Sequence, residues 1–317
     1  MFSFVNFIQS ILSALKKRKG LWFSILTLGS IAGVLISITL MNIMTNDVAK
    51  KTYLEVHRVD TTLLENILDT KYDSLLAIAG VTAIHPDIIK NIKTKSDKSV
   101  KDLLDEVTKT INDRVNIDPI SVSYYATDFE STGSENQKYA DLVINTQTSV
   151  TGIVVNQSGT RLISLTPVVD GNKTIGAVEV SQSIASVKNS FDNLGKEFVY
   201  IMDKSQLVFM SLEAKQGMTQ DIGDRYKVFF HSYNPQFFTN IRNIDLDVLQ
   251  REKYVTDANY YTTVDEVVDI DGKVIGLFVI GEEAGNGNSF VNITKNLIGS
   301  VTTVALGLVI SLILFMF

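Results

Sequence analysis

Residues 159–204 read GTRLISLTPVVDGNKTIGAVEVSQSIASVKNSFDNLGKEFVYIMDK, and this segment identifies the fold class. Within it, residues 161–169 and 174–183 are rich in β-branched and other apolar side chains and flank the turn sequence DGN, so they predict a β-hairpin. Residues 184–194 then predict a short helix, and residues 198–203 predict a further strand. The segment therefore predicts an α+β protein that contains antiparallel hairpins.

The same hairpin pattern occurs a second time. VVDGNKTIGAVEV begins at Val168 and VVDIDGKVIGLFVI begins at Val267, so that Gly176 and Gly276 stand one hundred positions apart. In both copies an apolar strand is followed by an acidic turn with glycine, a lysine and an Ile-Gly pair. Repetition of this kind predicts two similar modules, the second with its hairpin at residues 260–281. Chance or generic hairpin chemistry is the alternative explanation.

The residues before these strands predict helices. Between Gly33 and Gly80 the chain has neither glycine nor proline, and its apolar residues from Val48 to Leu68 recur at spacings of mostly three, four and seven. This spacing predicts one long helix that ends near Ala79. The other elements expected before the first hairpin are helices at 86–93, 98–114 and 135–142 and strands at 120–126 and 150–157.

The composition excludes several classes of protein. The 317 residues are 45% hydrophobic and 20% charged, which is typical of an ordered chain and not of a disordered one. A formal net charge of −6 supplies no basic field for nucleic acid, so we expect no nucleic-acid partner. The chain has no cysteine, which excludes disulfides, thiol catalysis and cysteine-based zinc sites.

Catalytic and cofactor-binding motifs are absent from the sequence. The three histidines, His57, His85 and His231, are scattered and form no His-x-x-x-His pair. The sequence contains no phosphate-binding loop that ends in Gly-Lys-Ser/Thr and no Gly-x-Ser-x-Gly motif. We therefore predict that this chain is not an enzyme and has no catalytic residue, metal site or cofactor.

Two uncharged apolar segments lie near the ends of the sequence. Residues 21–46 follow the cationic sequence KKRK, and residues 297–317 form the second segment. About 20 apolar residues in a helix cross a bilayer core of roughly 30 Å, and flanking cations stay in the cytoplasm. The alternatives are buried core helices and, for the first segment, a cleaved signal peptide. We predict a protein of the bacterial inner membrane with two transmembrane helices and a periplasmic region between them. The predicted bounds are 1–20 for a cytoplasmic segment, 21–44 for the first transmembrane helix, and 285–317 for a juxtamembrane stretch with the second transmembrane helix.

With two predicted spans around an outer region, a long juxtamembrane helix and paired hairpins, the chain resembles the double Cache sensor regions of bacterial chemoreceptors (methyl-accepting chemotaxis proteins). The likeness is sharpest over residues 159–204 and is to the subgroup with a helical insertion in the distal module. It implies an α+β fold in which two transmembrane helices flank an extracytoplasmic pair of PAS-like antiparallel-sheet modules. The implied boundaries are 45–195 for the long helix, the insertion and the membrane-distal module, and 196–284 for the membrane-proximal module.

The resemblance also implies that a ligand binds in the distal module. The amino-acid-binding signature of one Cache subgroup, a cluster of Arg, Trp and Tyr with a downstream Asp, is not recognisable in this sequence. The resemblance therefore does not imply that the ligand is an amino acid.

Arg161 is the leading candidate for a ligand-binding residue. On an extended strand it shares a face with Ile163 and Leu165, and an arginine beside apolar side chains favours a bound anion such as a carboxylate. The alternative is an arginine that reaches water or pairs with an acid of the protein. A turn centred between Gly171 and Asn172 would add Val178, Val180 and Gln182 to this face and would place Ser164, Thr166, Ala177, Glu179 and Ser181 on the other.

Three tyrosines precede this hairpin and complete the predicted site. Tyr124, Tyr125 and Tyr139 belong to a predicted strand and the segment after it, and aromatic side chains with polar tips are common walls of ligand pockets. Core packing is the alternative role for each of them. The predicted ligand-binding residues are therefore Arg161, Tyr124, Tyr125, Tyr139 and Gln182.

Together these features predict the ligand-sensing extracytoplasmic region of a transmembrane chemoreceptor. It would bind a small molecule, with an acid favoured by Arg161, and would signal by displacing helices across the membrane. Packing of residues 48–68 from two chains predicts a homodimer, and cytoplasmic signalling partners would act through a C-terminal region after residue 317. The alternatives are the sensor region of a histidine kinase or diguanylate cyclase, and a membrane adaptor whose outer region binds protein.

Overall fold

The structure is a computed structural model that describes residues 19–94, 96–114, 118–127, 136–218, 220–228 and 234–284, with single positions between 296 and 310. The chain divides into two compact units, one formed by residues 1–55 with 286–317 and the other by residues 56–285. Both sheets and the candidate site belong to the second unit, which is a mixed α-helical and antiparallel-sheet structure.

The five α-helices up to residue 192 follow the predicted order along the chain, whereas the three after residue 210 were not predicted. A 3₁₀ helix at Lys204–Phe209 accompanies them. The α-helices are α1 Lys19–Ala83, α2 Pro86–Lys93, α3 Asp97–Arg114, α4 Gln137–Thr146, α5 Ala185–Asp192, α6 Leu212–Gln216, α7 Pro235–Arg242 and α8 Leu246–Glu252.

Helix α1 confirms the prediction of one long helix. The predicted apolar face is buried in part: Leu64 is buried and Leu75 and Ala79 continue it, whereas Val48, Leu54 and Val59 are exposed. The helix ends at Ala83. His85 is the N-cap residue of α2, and its Nδ1 accepts a hydrogen bond from the backbone N–H of Asp87 at 3.3 Å. Such a side-chain acceptor satisfies one of the free N–H groups at a helix start.

Ten strands form two antiparallel sheets among the described residues. The first sheet has the order β1-β4-β3-β2 and the second has the order β6-β7-β5-β10-β9-β8. Both predicted hairpins are confirmed, as β3–β4 and β9–β10. The strands are β1 Ile120–Ala126, β2 Val150–Asn156, β3 Gly159–Asp170, β4 Lys173–Ser183, β5 Glu197–Asp203, β6 Gln220–Ile222, β7 Tyr226–Val228, β8 Tyr254–Thr256, β9 Tyr260–Val268 and β10 Val274–Glu283.

The register of the first hairpin differs by one residue from the register predicted from its turn. Arg161 lies opposite Ser183, because the ladder shifts between Val168 and Val169. A bulge gives one strand an extra residue, and a one-residue shift exchanges which side chains share a face. The prediction for β4 is therefore wrong. Val178, Val180 and Gln182 lie on the face opposite to Arg161, whereas Ala177, Glu179 and Ser181 share its face.

The two faces of the first sheet pack against different partners. The face of Val122, Leu162 and Val180 packs into a core that also contains Leu75 and Ala79 of α1. The opposite face belongs to a separate buried cluster with side chains of α4. The second sheet contributes to the first of these cores and has a further core of its own on α7 and α8.

The described residues give one finding about membrane-spanning helices. Among the residues that the structure describes, no single helix is both long enough and apolar enough to cross a membrane; the pair Asn46–Ala83 and Pro86–Lys93, bent by 61°, meets the two criteria only jointly. Most side chains of the predicted span 21–44 and most residues of 297–317 lie outside the described part of the chain. The two predicted spans therefore stay predictions.

Candidate functional site

The candidate site lies on the face of the first sheet that carries Arg161, which we call the site face. Cross-strand pairing places Ser121, Ser123 and Tyr125 of β1 beside Ser181, Glu179 and Ala177 of β4, and β3 adds Arg161, Ile163 and Leu165. Helix α4 covers one end of this face, where its residues Tyr139, Ala140 and Val143 join Tyr125, Ile163, Leu165 and Ala177 in a buried cluster. Polar side chains thus lie beside a closed apolar cluster, which is the usual composition of a small-molecule site.

Arg161 has only neutral hydrogen-bond partners among the described residues. Its Nε donates to Ser181 Oγ at 3.1 Å, and its Nη2 donates to the Ser181 carbonyl at 3.2 Å and to Ser121 Oγ at 3.3 Å. No carboxylate of the described chain lies within ion-pair distance of it. Burial lowers the pKa of the Arg161 guanidinium, and the charge of Glu179 partly opposes that shift.

Glu179 supplies a buried carboxylate on the same face. It is 5% exposed, and its Oε2 accepts hydrogen bonds from the Tyr125 hydroxyl at 2.6 Å and from the Asn136 amide at 3.0 Å. Both of these hydrogen bonds are made to one of the two carboxylate oxygens. No hydrogen bond to Glu179 Oε1 occurs within the described part of the chain. Glu179 therefore retains an oxygen that can accept a further donor.

The tip of the second hairpin contacts the apolar end of the site face. The backbone N–H of Ile270 donates to the Ile153 carbonyl at 3.0 Å, and the Ile270 side chain packs against the buried cluster. Next to it, the Asp271 carboxylate accepts a hydrogen bond from the Tyr139 hydroxyl at 2.7 Å and pairs with Lys138. Burial, with the bond to Asp271, raises the pKa of Tyr139 to about 12 although Lys138 opposes the shift. The turn between β9 and β10 is thus the part of the second sheet that contacts the site face.

The structure separates the predicted site residues into two groups. Arg161, Tyr125 and Tyr139 lie on the site face or in its buried cluster. Tyr124 lies on the other face, where it packs against the core that contains α1. Gln182 also lies on that other face and donates to the Asp118 carbonyl at 2.7 Å, because the bulge reverses β4 relative to the predicted register.

Three groups at this site were not predicted from the sequence. Glu179 was assigned to the wrong face, although a charged residue in the apolar strand IGAVEVSQS is a signal for a functional or paired carboxylate. Asn136 and Asp271 carry no comparable signal, because each reaches the site only through tertiary contacts. Within the described residues no group of His, Asp and Glu side chains has the arrangement of a metal site.

The contact between Tyr125 and Glu179 gives a testable prediction. Replacing Tyr125 by Phe removes one of the two donors to a buried carboxylate, and we expect the free energy of unfolding to fall by about 1.5–3 kcal/mol. Urea denaturation measures this loss. Tyr72→Phe is the matched control, because the hydroxyl of this half-buried tyrosine makes no hydrogen bond among the described residues. Equal effects of the two substitutions would contradict the role given to Tyr125.

Comparisons with known proteins place the chain beside bacterial receptor domains at low identity. No protein-family model matches it, and no curated protein matches its sequence. The sensor domain of the histidine kinase DctB from V. cholerae is 11% identical, with 73% of this chain and 98% of that chain covered and a TM-score of 0.40. The periplasmic domain of Vibrio cholerae LuxQ is 10% identical, with coverages of 70% and 97% and a TM-score of 0.44. The ligand-binding domain of the Pseudomonas fluorescens chemoreceptor CtaA, in complex with L-leucine, is 12% identical, with coverages of 75% and 96% and a TM-score of 0.36.

Proposed function

We propose that this chain is the ligand-sensing region of a transmembrane chemoreceptor and that it binds a small carboxylic acid on the site face. The observation that carries the proposal is Arg161, whose guanidinium is partly buried and has only the neutral oxygens of Ser121 and Ser181 as partners in the described chain. A charge removed from water without a counter-ion is costly, and a bound anion would offset that cost. A carboxylate suits the planar donors of arginine because it accepts two N–H groups at once.

The position of Glu179 suggests what the other end of the acid carries. The Arg161 guanidinium lies beside Ser181, which is two residues along β4 from Glu179. That separation corresponds to about 7 Å of strand. An acid bound at Arg161 would extend along the face towards Glu179, whose Oε1 can accept a hydrogen bond. We therefore favour a ligand with a hydroxyl or amino group at the end distant from its carboxylate.

The proposed signalling step is a shift between two positions of the elements around the site. A ligand that prefers one position of α4 would change the contacts of Tyr139 with Asp271 and hence bias the second sheet. A tenfold preference for one state corresponds to about 1.4 kcal/mol. In this proposal residues 45–195 and 196–284 are the distal and proximal Cache modules. They lie in the periplasm between two spans of the inner membrane, and residues 48–68 of two chains pair in a homodimer.

Other receptor types and one other class of function are compatible with this site. The same region would serve equally in a histidine kinase or diguanylate cyclase, with its output in a segment after residue 317. A protein-binding membrane adaptor is the candidate from a different class, and it is supported by Val81 and Ile84, which are 69% and 73% exposed. An apolar surface of this kind is typical of a contact with another protein.

A thermal-shift screen of the full chain in detergent micelles tests the proposed function. At 100 times its dissociation constant, a ligand stabilises the folded state by about 2.7 kcal/mol. We expect hits among small organic acids, and we expect Arg161→Ala to weaken their binding by about 10- to 100-fold, since a hydrogen bond to a charged group contributes about 1.5–3 kcal/mol. Isothermal titration of each hit measures the change in affinity.

Arg225→Ala is the matched control for this screen. Arg225 pairs with Asp203 at 2.8 Å on the second sheet, and its side chain is 59% exposed, so its removal should leave the affinity for the acid unchanged. An acid that binds equally well to the Arg161→Ala protein would contradict the assigned site. A folded protein that responds to no small molecule would favour the adaptor.

A further inference from the structure

A cavity of about 240 Å³ is lined by residues of both sheets. Thr160 at the start of β3 lies on one side of it, and Phe198 and Tyr200 of β5 lie on another. Met210 and Met218, which follow β5 in the chain, complete a floor whose five side chains are all less than 9% exposed. The cavity is separate from the site face, because Thr160 and Arg161 are neighbours on a strand and point to opposite sides.

The floor of this cavity is apolar apart from two hydroxyl groups. Thr160 Oγ1 and the Tyr200 hydroxyl lie 3.1 Å apart and share one hydrogen bond. Thr160 Oγ1 also donates to Met202 Sδ at 3.6 Å, so the Tyr200 hydroxyl donates to Thr160. The oxygens of the pair thus retain capacity to accept one donor inside the cavity. Burial raises the pKa of Tyr200, and the phenol therefore stays neutral at physiological pH. The floor consequently offers one neutral hydrogen-bonding position surrounded by aromatic and thioether groups.

Among the described residues that line the cavity, charged groups occur only at the rim. Glu213 is exposed to water, and Lys188 forms an ion pair with Asp192 one helical turn away in α5. Neither side chain places an unpaired charge at the floor of the cavity. A charged ligand would lose its hydration without gaining a counter-ion there, whereas a neutral one would not.

The volume of the cavity limits the size of its occupant. An apolar cavity of about 150 Å³ holds one benzene ring, so 240 Å³ is suited to one or two fused rings. Methionine side chains adapt to such ligands and their sulfur atoms make favourable contacts with aromatic rings. Voids of this size are uncommon in protein interiors because they forfeit van der Waals contacts.

We propose that this cavity is a second binding site, which takes a neutral aromatic molecule of one or two rings with a single hydrogen-bonding group. The rings lie against Phe198, Met210 and Met218, and the polar group bonds to the hydroxyl pair of Thr160 and Tyr200. Because the walls come from both sheets, an occupant contacts the two modules at once. The site is independent of the acid-binding function proposed for Arg161.

Methyl NMR of the full chain in detergent micelles, with labelled methionine, tests this proposal. The chain has seven methionines, and Met210→Leu and Met218→Leu identify the two relevant signals. Titration with indole should shift both signals with saturation, and indole-3-carboxylate should shift neither. Ala214→Phe places a ring at the wall of the cavity and should abolish the saturable shifts. Its melting temperature without ligand shows whether the variant is folded.

A second variant distinguishes a specific site from general affinity for apolar molecules. Thr160→Val keeps the shape of the floor and removes a hydroxyl, so it should weaken the binding of indole and phenol about tenfold while toluene binds as before. The proposal is overturned if neither signal shifts up to the solubility of indole, or if folded Ala214→Phe shows the same shifts. Equal binding of indole-3-carboxylate, or an unchanged affinity for indole in Thr160→Val, would also overturn it.

Discussion

Replacing Lys196 by Met is expected to lower the free energy of unfolding by about 3–5 kcal/mol, because it leaves two buried carboxylates without a counter-ion. Lys196 Nζ lies 2.9 Å from Asp60 of α1 and 2.9 Å from Glu282 of β10. Asp60 is 1% exposed, and its Oδ2 has no hydrogen-bond partner among the described residues. Although burial alone would lower the pKa of Lys196, the two carboxylates raise it, so the lysine is held in its charged form.

The thermal midpoint measures this loss. For a unit of this size we expect a decrease of roughly 6–20 °C. Lys93→Met is the matched control, because Lys93 pairs with Asp170 at 2.6 Å but both side chains are largely exposed. Removing such a surface pair should cost about 0–1 kcal/mol. Similar losses in the two variants would show that the buried cluster does not hold α1 against the second sheet in this way.

The loss in Lys196→Met is also expected to depend on pH. Burial raises the pKa of Asp60 from its ordinary value of 3.8, although Lys196 opposes the shift, so the folded state binds this proton more tightly than the unfolded state. The stability linked to that proton is complete below the unfolded pKa and is lost as the pH rises through the folded pKa. Without Lys196 the folded pKa of Asp60 rises further. The deficit of the variant should therefore shrink as the pH falls through the folded pKa that Asp60 has in the variant, and a deficit that stays constant with pH would contradict this account.

The second large effect is expected at the two repeated glycines. A Cβ at Gly176 would lie 2.4 Å from the Tyr125 carbonyl oxygen, and a Cβ at Gly276 would lie 2.4 Å from the Ile201 carbonyl oxygen. In both places the obstacle is the backbone of the neighbouring strand, which cannot move aside as a flexible side chain can. We therefore expect Gly176→Ala and Gly276→Ala each to lower the free energy of unfolding by about 1–3 kcal/mol, measured in urea.

Gly80→Ala is the control for the glycine substitutions. Gly80 lies in α1, and a Cβ there would meet no atom within 4 Å. Alanine is favoured over glycine in a helix by about 0.5–1 kcal/mol, so this variant should be more stable than the original chain. A neutral outcome for Gly176→Ala and Gly276→Ala would mean that the strands can separate locally. The repeat would then have no steric reason to retain glycine.

The hairpins and the long helix were predictable because local patterns specify them. The turn sequences at Gly171 and Gly272 adopt positive φ, a conformation that glycine allows and other residues resist. Both turns join strands of apolar residues, and both hairpins have a register shift shortly before the repeated glycine. Likewise, α1 follows from an apolar spacing without helix breakers. In each case residues close in the chain supply the signal.

The candidate site was predictable only in part, because the bulge in β4 could not be read from the sequence. Arg161, Tyr125 and Tyr139 lie on the site face or in its buried cluster. Strand alternation singled out Arg161 and aromatic character the two tyrosines, and their role in ligand binding stays a prediction. Tyr124 and Gln182 were placed with them, but they face the core that contains α1. The turn itself was predicted correctly, and a single extra residue in β4 then reversed every later side chain.

The sequence alone thus specified the elements up to β5, both hairpin turns and the arginine that carries the functional proposal, because periodicity and turn chemistry are local properties. The helices and strands between β5 and β9 were not predicted. Tertiary structure specified which groups surround that arginine and where buried charge lies. The bulge moves Glu179 to the site face, and the Lys196 cluster joins Lys196 to Asp60 and Glu282, each at least 86 positions away in the chain. Such contacts depend on how strands and helices pack, and no short-range pattern in the chain encodes them.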